Sequence, residues 1–277
     1  MPQKSIVWLA SYPKSGNTWM RLFLANYLLK RETPLPINEI NKLGFGDSVP
    51  RHYASAAGRA VDPTNHQACL TLRPKVLQAI ANSGAKVNFV KTHNARSRAF
   101  GTELVPTALT RGAIYIIRHP MDVALSYARH YAVTPEQALT AMDRADHVIA
   151  GDRAAVPQYL GIWAEHAKGW SMGRDFPTVT IRYEDMLSTP QDAFARALTH
   201  VGLTVDVERL ERAIRFSAFD ELKQQEEVTG FIEQSANGGA FFHSGGAGGW
   251  RGRIDPGAVA AFGKAHAKTL DHHGYTL

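Results

Sequence analysis

Short apolar runs alternate with segments of helical periodicity along most of this chain. Residues 5–10, SIVWLA, are almost continuously apolar, the pattern of a strand buried on both faces. A glycine turn follows, and then Met20, Phe23, Leu24, Tyr27 and Leu28 fall at i, i+3, i+4, i+7 and i+8, one face of a helix. KVNFVKT (86–92), GAIYIIR (112–118) and TVTIRYED (178–185) are further strand candidates. Helices are expected near 121–131, 135–149 and 158–172, the second opened by Thr134, Pro135 and Gln137 as a capping box. Thr189-Pro190 starts another, whose Phe194, Ala197, Leu198 and Val201 share a face before Gly202 ends it, and 206–227 also reads as helical. The stretch 31–85 is rich in Pro, Gly and Asn and reads as loops with short helices, while glycine-rich 235–257 reads as a mobile loop.

This alternation predicts one α/β domain over 1–277, three layers deep, with a central parallel sheet flanked by helices. No Pro/Ser linker divides it. Ligands of such sheets sit beyond the carboxyl ends of the strands. Lys14, Lys91, His93 and Arg118 all follow strand ends, so the chemistry is expected there.

Composition narrows the ligand. The 277 residues are 44% hydrophobic and 20% charged, an ordinary globular balance. No apolar run is long enough for a membrane span, and the first one is interrupted by Ser11, Lys14 and Arg21 with no cleavage site after it, so no signal peptide is expected either. The single cysteine, Cys69, can form no internal disulfide, which fits a reducing cytoplasm. A net charge of +6 favours anionic ligands. The basic residues form no Lys/Arg block, and a small phosphorylated ligand accounts for the charge as well as nucleic acid does.

Three stretches carry chemistry. In SYPKSGNTW (11–19) a strand–turn–helix unit would aim the amides of residues 15–19 at an anion, and Lys14 adds a mobile charge. The lysine precedes the glycine, the reverse of the nucleotide P-loop, which disfavours an ATP or GTP site. KTH (91–93) ends a strand with a cation and a potential base on one side, since Lys91 and His93 alternate in step. IIRHPMDVALSY (116–127) sets Arg118 at a strand end and Ser126 on the following helix, a guanidinium and a hydroxyl suited to a phosphate monoester. No H-E-x-x-H or C-x-x-C pattern supports a metal.

Together these stretches give the chain a resemblance to the PAPS-dependent sulfotransferases of the cytosolic type, which use 3′-phosphoadenylyl sulfate as donor. Their Y-P-K-S-G-T-T-W loop is matched from Tyr12 to Trp19 except at Asn17, and K-T-H stands at 91–93. R-x-P-x-D-V-x-x-S is present as Arg118, Pro120, Asp122, Val123 and Ser126, and Y-E-D-M as Tyr183 to Met186. Trp163, His166 and Trp170 match W-x-x-H-x-x-x-W, and the order of motifs is the family's. The resemblance implies a bacterial-like member of the family with a P-loop-like phosphosulfate turn after its first strand. Lys14, Ser15, Gly16, Asn17, Thr18 and Trp19 would hold the 5′-phosphosulfate, with Trp19 on the adenine. Arg118 and Ser126 would hold the 3′-phosphate, Tyr183 would reach the base, and Ser217 and Phe219 would complete the adenine site. His93 is implied as general base, with Lys14 following charge onto the bridging oxygen and Lys91 supporting the sulfuryl oxygens. PAP would leave as product, and no metal is needed.

The late R-K-G-x-x-G-D-W of that family is degraded here to HSGGAGGW (243–250). His243, Ser244 and Gly245 stand where the clamp on the 3′-phosphate would be. His243 is expected to supply charge when protonated, so that donor affinity falls as pH rises from 6 to 8.5; the alternative is that Arg251 or Arg253 takes over. The family's dimer motif is absent, so no oligomeric state is carried over. The acceptor is expected to be a small molecule (a phenol, an alcohol or a glycosylated natural product), bound by 31–85 and a lid over 223–250. Phe100, Phe231, Phe241 and Phe242 are candidate apolar walls. The competing functions are a P-loop-type nucleotide kinase, which would need a lysine after the glycine, and a non-catalytic nucleotide-binding module, which would have no use for His93.

Overall fold

The computed structural model describes residues 4–234 and 239–277. Its elements run in order: β1 (Ile6–Ser11), α1 (Asn17–Leu28), a 3₁₀ turn (Ile37–Lys42), β2 (Gly44–Gly46), α2 (Pro50–Ala57), α3 (His66–Ala81) and β3 (Asn88–Thr92). There follow β4 (Arg98–Ala99), β5 (Thr102–Glu103), β6 (Thr110–Ile117), α4 (Pro120–Tyr131), α5 (Pro135–Met142), β7 (Val148–Ile149), β8 (Gln158–Tyr159) and α6 (Trp163–Met172). The chain finishes with β9 (Thr178–Arg182), α7 (Tyr183–Ser188), α8 (Pro190–His200), α9 (Val207–Phe216), α10 (Phe219–Thr229) and α11 (Pro256–His272).

The sheet is parallel and five-stranded, in the order β2-β3-β1-β6-β9, and is flanked by helices. All six residues of β1 are buried, as its unbroken apolar run requires of a central strand. Its register against β3, from Ile6 opposite Asn88 to Ala10 opposite Thr92, brings the two strands to a common end just before Tyr12 and His93. The chain divides into two compact units: Met1–Tyr12 with Gly44–Tyr115 and Asp143–Thr180, and Pro13–Leu43 with Ile116–Met142 and Ile181–Leu277. The first unit holds most of the sheet with α2, α3 and α6. The second holds α1, α4, α5 and the helices from α7 onward.

Several expectations are corrected. The region 31–85 contains α3, a 16-residue helix with Pro74 inside it and Asn65 as a side-chain N-cap. Its buried face (Cys69, Leu70, Arg73, Val76, Leu77, Ile80) keeps the helical period, so a proline that removes one hydrogen bond is outweighed by burial. Residues 135–149 yield the short α5 and then β7, and 158–172 begins as a strand before α6. The 206–227 segment is two helices broken at Ser217, and the strand at 178 gives way to α7 at Tyr183. Of the glycine-rich stretch read as a mobile loop, 235–238 lies outside the described residues. The rest is tied down, and Pro256 already belongs to α11, which Asp255 caps through the Ala258 amide.

Candidate active site

In the first unit, β3 delivers KTH to the end of the sheet. His93 Nδ1 lies 2.8 Å from the Ser11 carbonyl oxygen, which can only accept, so Nδ1 carries the proton and the lone pair sits on Nε2. The turn behind it is built from side chains of distant elements. Asp47, at the end of β2, is fully buried and accepts from Thr92 Oγ1 at 2.6 Å and Asn94 Nδ2 at 3.0 Å. Arg73 from α3 closes a 2.6 Å ion pair with the same carboxylate. From α6, His166 Nε2 donates to the His93 carbonyl at 3.1 Å and Trp170 Nε1 to that of Asn94 at 3.1 Å. Burial pushes His166 down to about 4, so it stays neutral, accepting from Tyr115 on Nδ1 while donating from Nε2. The W-x-x-H-x-x-x-W spacing is thus a brace for the histidine turn. Lys91 is half-buried on β3, opposite Leu9.

In the second unit, the turn after Tyr12 is shaped by its own backbone. Lys14 (φ 67°) and Gly16 (φ 103°) are both left-handed, and α1 starts at Asn17 with no side-chain cap and no acid in its first turn. Its first amides therefore have no intrahelical acceptor, and the dipole favours an anion there. A β-carbon on Gly16 would lie 2.7 Å from the Tyr183 ring, so the glycine is required twice, by conformation and by contact. Ser15 is buried, and its Oγ meets no hydrogen-bond partner among the described residues. Trp19 stands edge-on to Tyr183, with ring centres 5.7 Å apart.

Arg118 donates to the carbonyls of Lys14 (3.2 Å) and Gly246 (2.9 Å), and its guanidinium lies 4.2 Å from the centre of the Tyr183 ring. Its Nε is buried and meets no hydrogen-bond partner among the described residues. Tyr183 donates to Gly245 at 2.8 Å, and a β-carbon on Gly245 would strike the Phe219 ring at 2.5 Å. Lys14, Arg118, Tyr183, Phe219 and Gly245 are thereby brought together as the motifs suggested. Ser126 is half-buried on α4. Ser217 is turned inward, its hydroxyl donating to the Ala213 carbonyl at 2.8 Å, so that proton serves its own helix end.

The late segment lies over this site. Glu226 accepts from the amides of Phe241 and Phe242, Asn38 bonds Gly230 and Ile232, and Glu233 bonds Thr18 and Arg21. Phe241 covers Lys14, whose Nζ is 4.1 Å from the ring centre. Phe231 and Phe242 belong to a buried cluster with Leu22, Ile37, Ile40 and Leu222, so they are core rather than pocket walls. Phe100 is 82% exposed at the tip of the β4–β5 hairpin, far too open to be one. His243 and Ser244 are exposed. Arg129, followed by partial burial, Arg253 and Lys223, holds His243 below the ordinary histidine value, the reverse of the charged clamp expected from sequence.

Comparison with known proteins decides the family: the sulfotransferase domain model matches residues 4–274. The chain belongs to the sulfotransferase domain family. It is similar to dog sulfotransferase 1A1, 23% identical over 222 residues that cover 78% of this chain and 65% of that protein. Mouse sulfotransferase 1B1 is 24% identical, again over 78% of this chain and 64% of its own length. The chain thus spans just under two thirds of these curated relatives. The sulfotransferase fold recurs in retinol dehydratase, solved with androsterone and inactive cofactor PAP, at 20% identity and a TM-score of 0.63, covering 98% of this chain and 81% of that one. No helix among the described residues is long and apolar enough to cross a membrane, and none of them form a group able to hold a metal ion.

Proposed function

We propose that this sulfotransferase-family chain moves a sulfuryl group from PAPS to the hydroxyl or amine of a small-molecule acceptor and releases PAP. The observation that carries this reading is the His93 tautomer: with Nδ1–H on the Ser11 carbonyl, Nε2 has the lone pair a general base needs. The second support is the turn at 14–19, where an uncapped helix start, Lys14 and a buried Ser15 hydroxyl with no partner among the described residues suit a phosphosulfate. Gly16 and Gly245 let the Tyr183 and Phe219 rings close onto the backbone, and with Trp19 these rings supply aromatic faces suited to an adenine. Retinol dehydratase and mouse SULT7A1, both solved with PAP, have the fold of this chain, the second at 18% identity and a TM-score of 0.59.

In this reading His93 takes the acceptor's proton on Nε2 as its oxygen or nitrogen attacks sulfur. Lys14 stabilises the charge that grows on the departing phosphate, and Lys91 the sulfuryl oxygens. In-line transfer of this kind resembles phosphoryl transfer, where positioning and charge neutralisation supply most of the catalysis. The acceptor is a phenol, an alcohol or a glycosylated natural product, and a cytoplasmic setting is supported by the lone buried Cys69. Calorimetric titration of PAP against ATP is the test. PAP should bind more tightly, and PAPS with a mixed phenol and alcohol panel should yield PAP. ATP binding equal to or tighter than PAP binding would return the chain to the kinase alternative.

A further inference from the structure

We propose that Arg129 and Arg253, with Arg118 and Ser126, form the seat for the donor's 3′-phosphate in place of the absent Arg–Lys pair of the late motif. The proposal rests on the PAPS reading above and assigns two residues that the motifs do not.

The geometry comes from how the late segment is laid along α4. Gly246 is bonded to Arg118, Gly248 donates to Asp122 at 2.6 Å, and Trp250 stacks on His119 at 5.3 Å with planes 14° apart. Beyond it, the Asp255 amide donates to Glu136, just past the end of α4. Residues 251–254 are therefore held between anchors at the start of α4 and at the start of α5, alongside the helix body. On α4, Arg129 is three residues beyond Ser126, and so shares its face. His130, next along, reaches Lys14 Nζ at 3.5 Å, which shows that this face looks toward the phosphosulfate turn.

The two late arginines are then sorted by their contacts. Arg251 lies on the Trp250 ring, 4.7 Å from its centre, and is thereby committed to the His119–Trp250 stack. Arg253 stands in a turn, its amide donating to the Trp250 carbonyl at 3.0 Å, and its side chain makes no such ring contact among the described residues. Partial burial and then the charges of Arg253 and Arg118 depress Arg129, and Arg129 and Arg253 both depress His243. Arg118, Arg129, Arg253 and His243 thus feel one another's charge along the segment laid beside α4, and neither Arg129 nor Arg253 forms an ion pair with a carboxylate among the described residues. Asp122, the nearest acid on α4, is occupied by the Gly248 amide. Like charges gathered without a counterion oppose one another, and a dianionic phosphate monoester is the ligand that relieves them.

The test titrates PAP and adenosine 5′-phosphate, which lacks the 3′-phosphate, into the full chain and its variants. Arg129→Ala and Arg253→Ala should each weaken PAP about 10-fold or more, the loss of a charge-assisted hydrogen bond, while leaving adenosine 5′-phosphate within about 2-fold. Retained adenosine 5′-phosphate binding also certifies that each variant is folded. Arg251→Ala should leave both ligands unchanged. The proposal is overturned if both arginine variants keep PAP affinity, or if His243→Ala alone removes it. Should the unmodified chain bind PAP no better than adenosine 5′-phosphate, the donor reading itself fails, and that result appears before any variant is made.

Discussion

After β1 the chain holds its turn with its own backbone, whereas after β3 it holds the turn with side chains from elsewhere. Left-handed Lys14 and Gly16 curve the first turn, so the backbone that sets its shape lies within SYPKSGNTW, and Arg118 and Tyr183 pack on it from outside. The second turn, carrying His93, leans on Asp47, Arg73, His166 and Trp170, tens of residues away in both directions. An anion needs amides and charge, which a local loop can supply. A general base needs one ring in one tautomer, and that takes bracing from several elements.

The sharpest break in this comparison is His93→Ala. Turnover should fall by about 10²–10⁴-fold, the usual worth of a general base, while PAP affinity stays within a few-fold. Near-normal turnover would mean that the braced turn serves the fold and not the reaction. Asp47→Ala comes next. It strands the buried Arg73 charge and frees Thr92 and Asn94, and a broken buried pair costs about 3–5 kcal/mol, read as a lower urea midpoint. A conservative companion, His166→Gln, should lower kcat more than donor affinity, because its ring bonds the His93 carbonyl directly and meets the loop at 12–19 only edge-on at Tyr12.

For the self-supporting turn the test is Gly16→Ala. Its positive φ costs about 1–3 kcal/mol for a residue with a side chain, and the new methyl must also displace the Tyr183 ring. Donor affinity should weaken by about 10-fold or more, with kcat at saturating donor changed far less. Equal damage to kcat would argue that the two turns are not separable in function.

The same contrast explains what was legible in the sequence. The buried strands and the shape of the turn at 12–19 are read directly, because apolar runs and a glycine-bent cationic loop are local signals. Asp47 and Arg73 are invisible in 31–85: a lone aspartate and a lone arginine acquire meaning only when β2 and α3 bring them within 2.6 Å. The period of α3 was available at Cys69, Leu70, Arg73, Val76, Leu77 and Ile80, but Pro74 and a buried arginine disguise it. The proposed role of Arg129 is hidden for a related reason: as a surface arginine on a helix it looks solvated until the late segment is laid beside it.

The smallest expected effect concerns His243. Sequence suggests a histidine that gains charge from a phosphate neighbour, with donor affinity falling steadily from pH 6 to 8.5. The groups facing it are Arg129, Arg253 and Lys223, and together with partial burial they lower its pKa. A lowered histidine pKa means the neutral ring prevails at and above the ordinary value of about 6.5, so no charge is lost as pH rises from 7 to 8.5. Binding an anion raises that pKa, so proton uptake by His243 can strengthen binding only toward the acid side. There the phosphate's own second ionisation, near pH 6, begins to remove the charge it would meet. PAP affinity should therefore change by less than about 2-fold between pH 7 and 8.5, both in the unmodified chain and in His243→Ala. His243→Arg adds a permanent charge to a proposed seat that already counts three arginines (Arg118, Arg129 and Arg253) for one phosphate, and should tighten PAP only slightly. A steep loss of affinity over that interval, abolished by His243→Ala, would give the clamp back to the histidine.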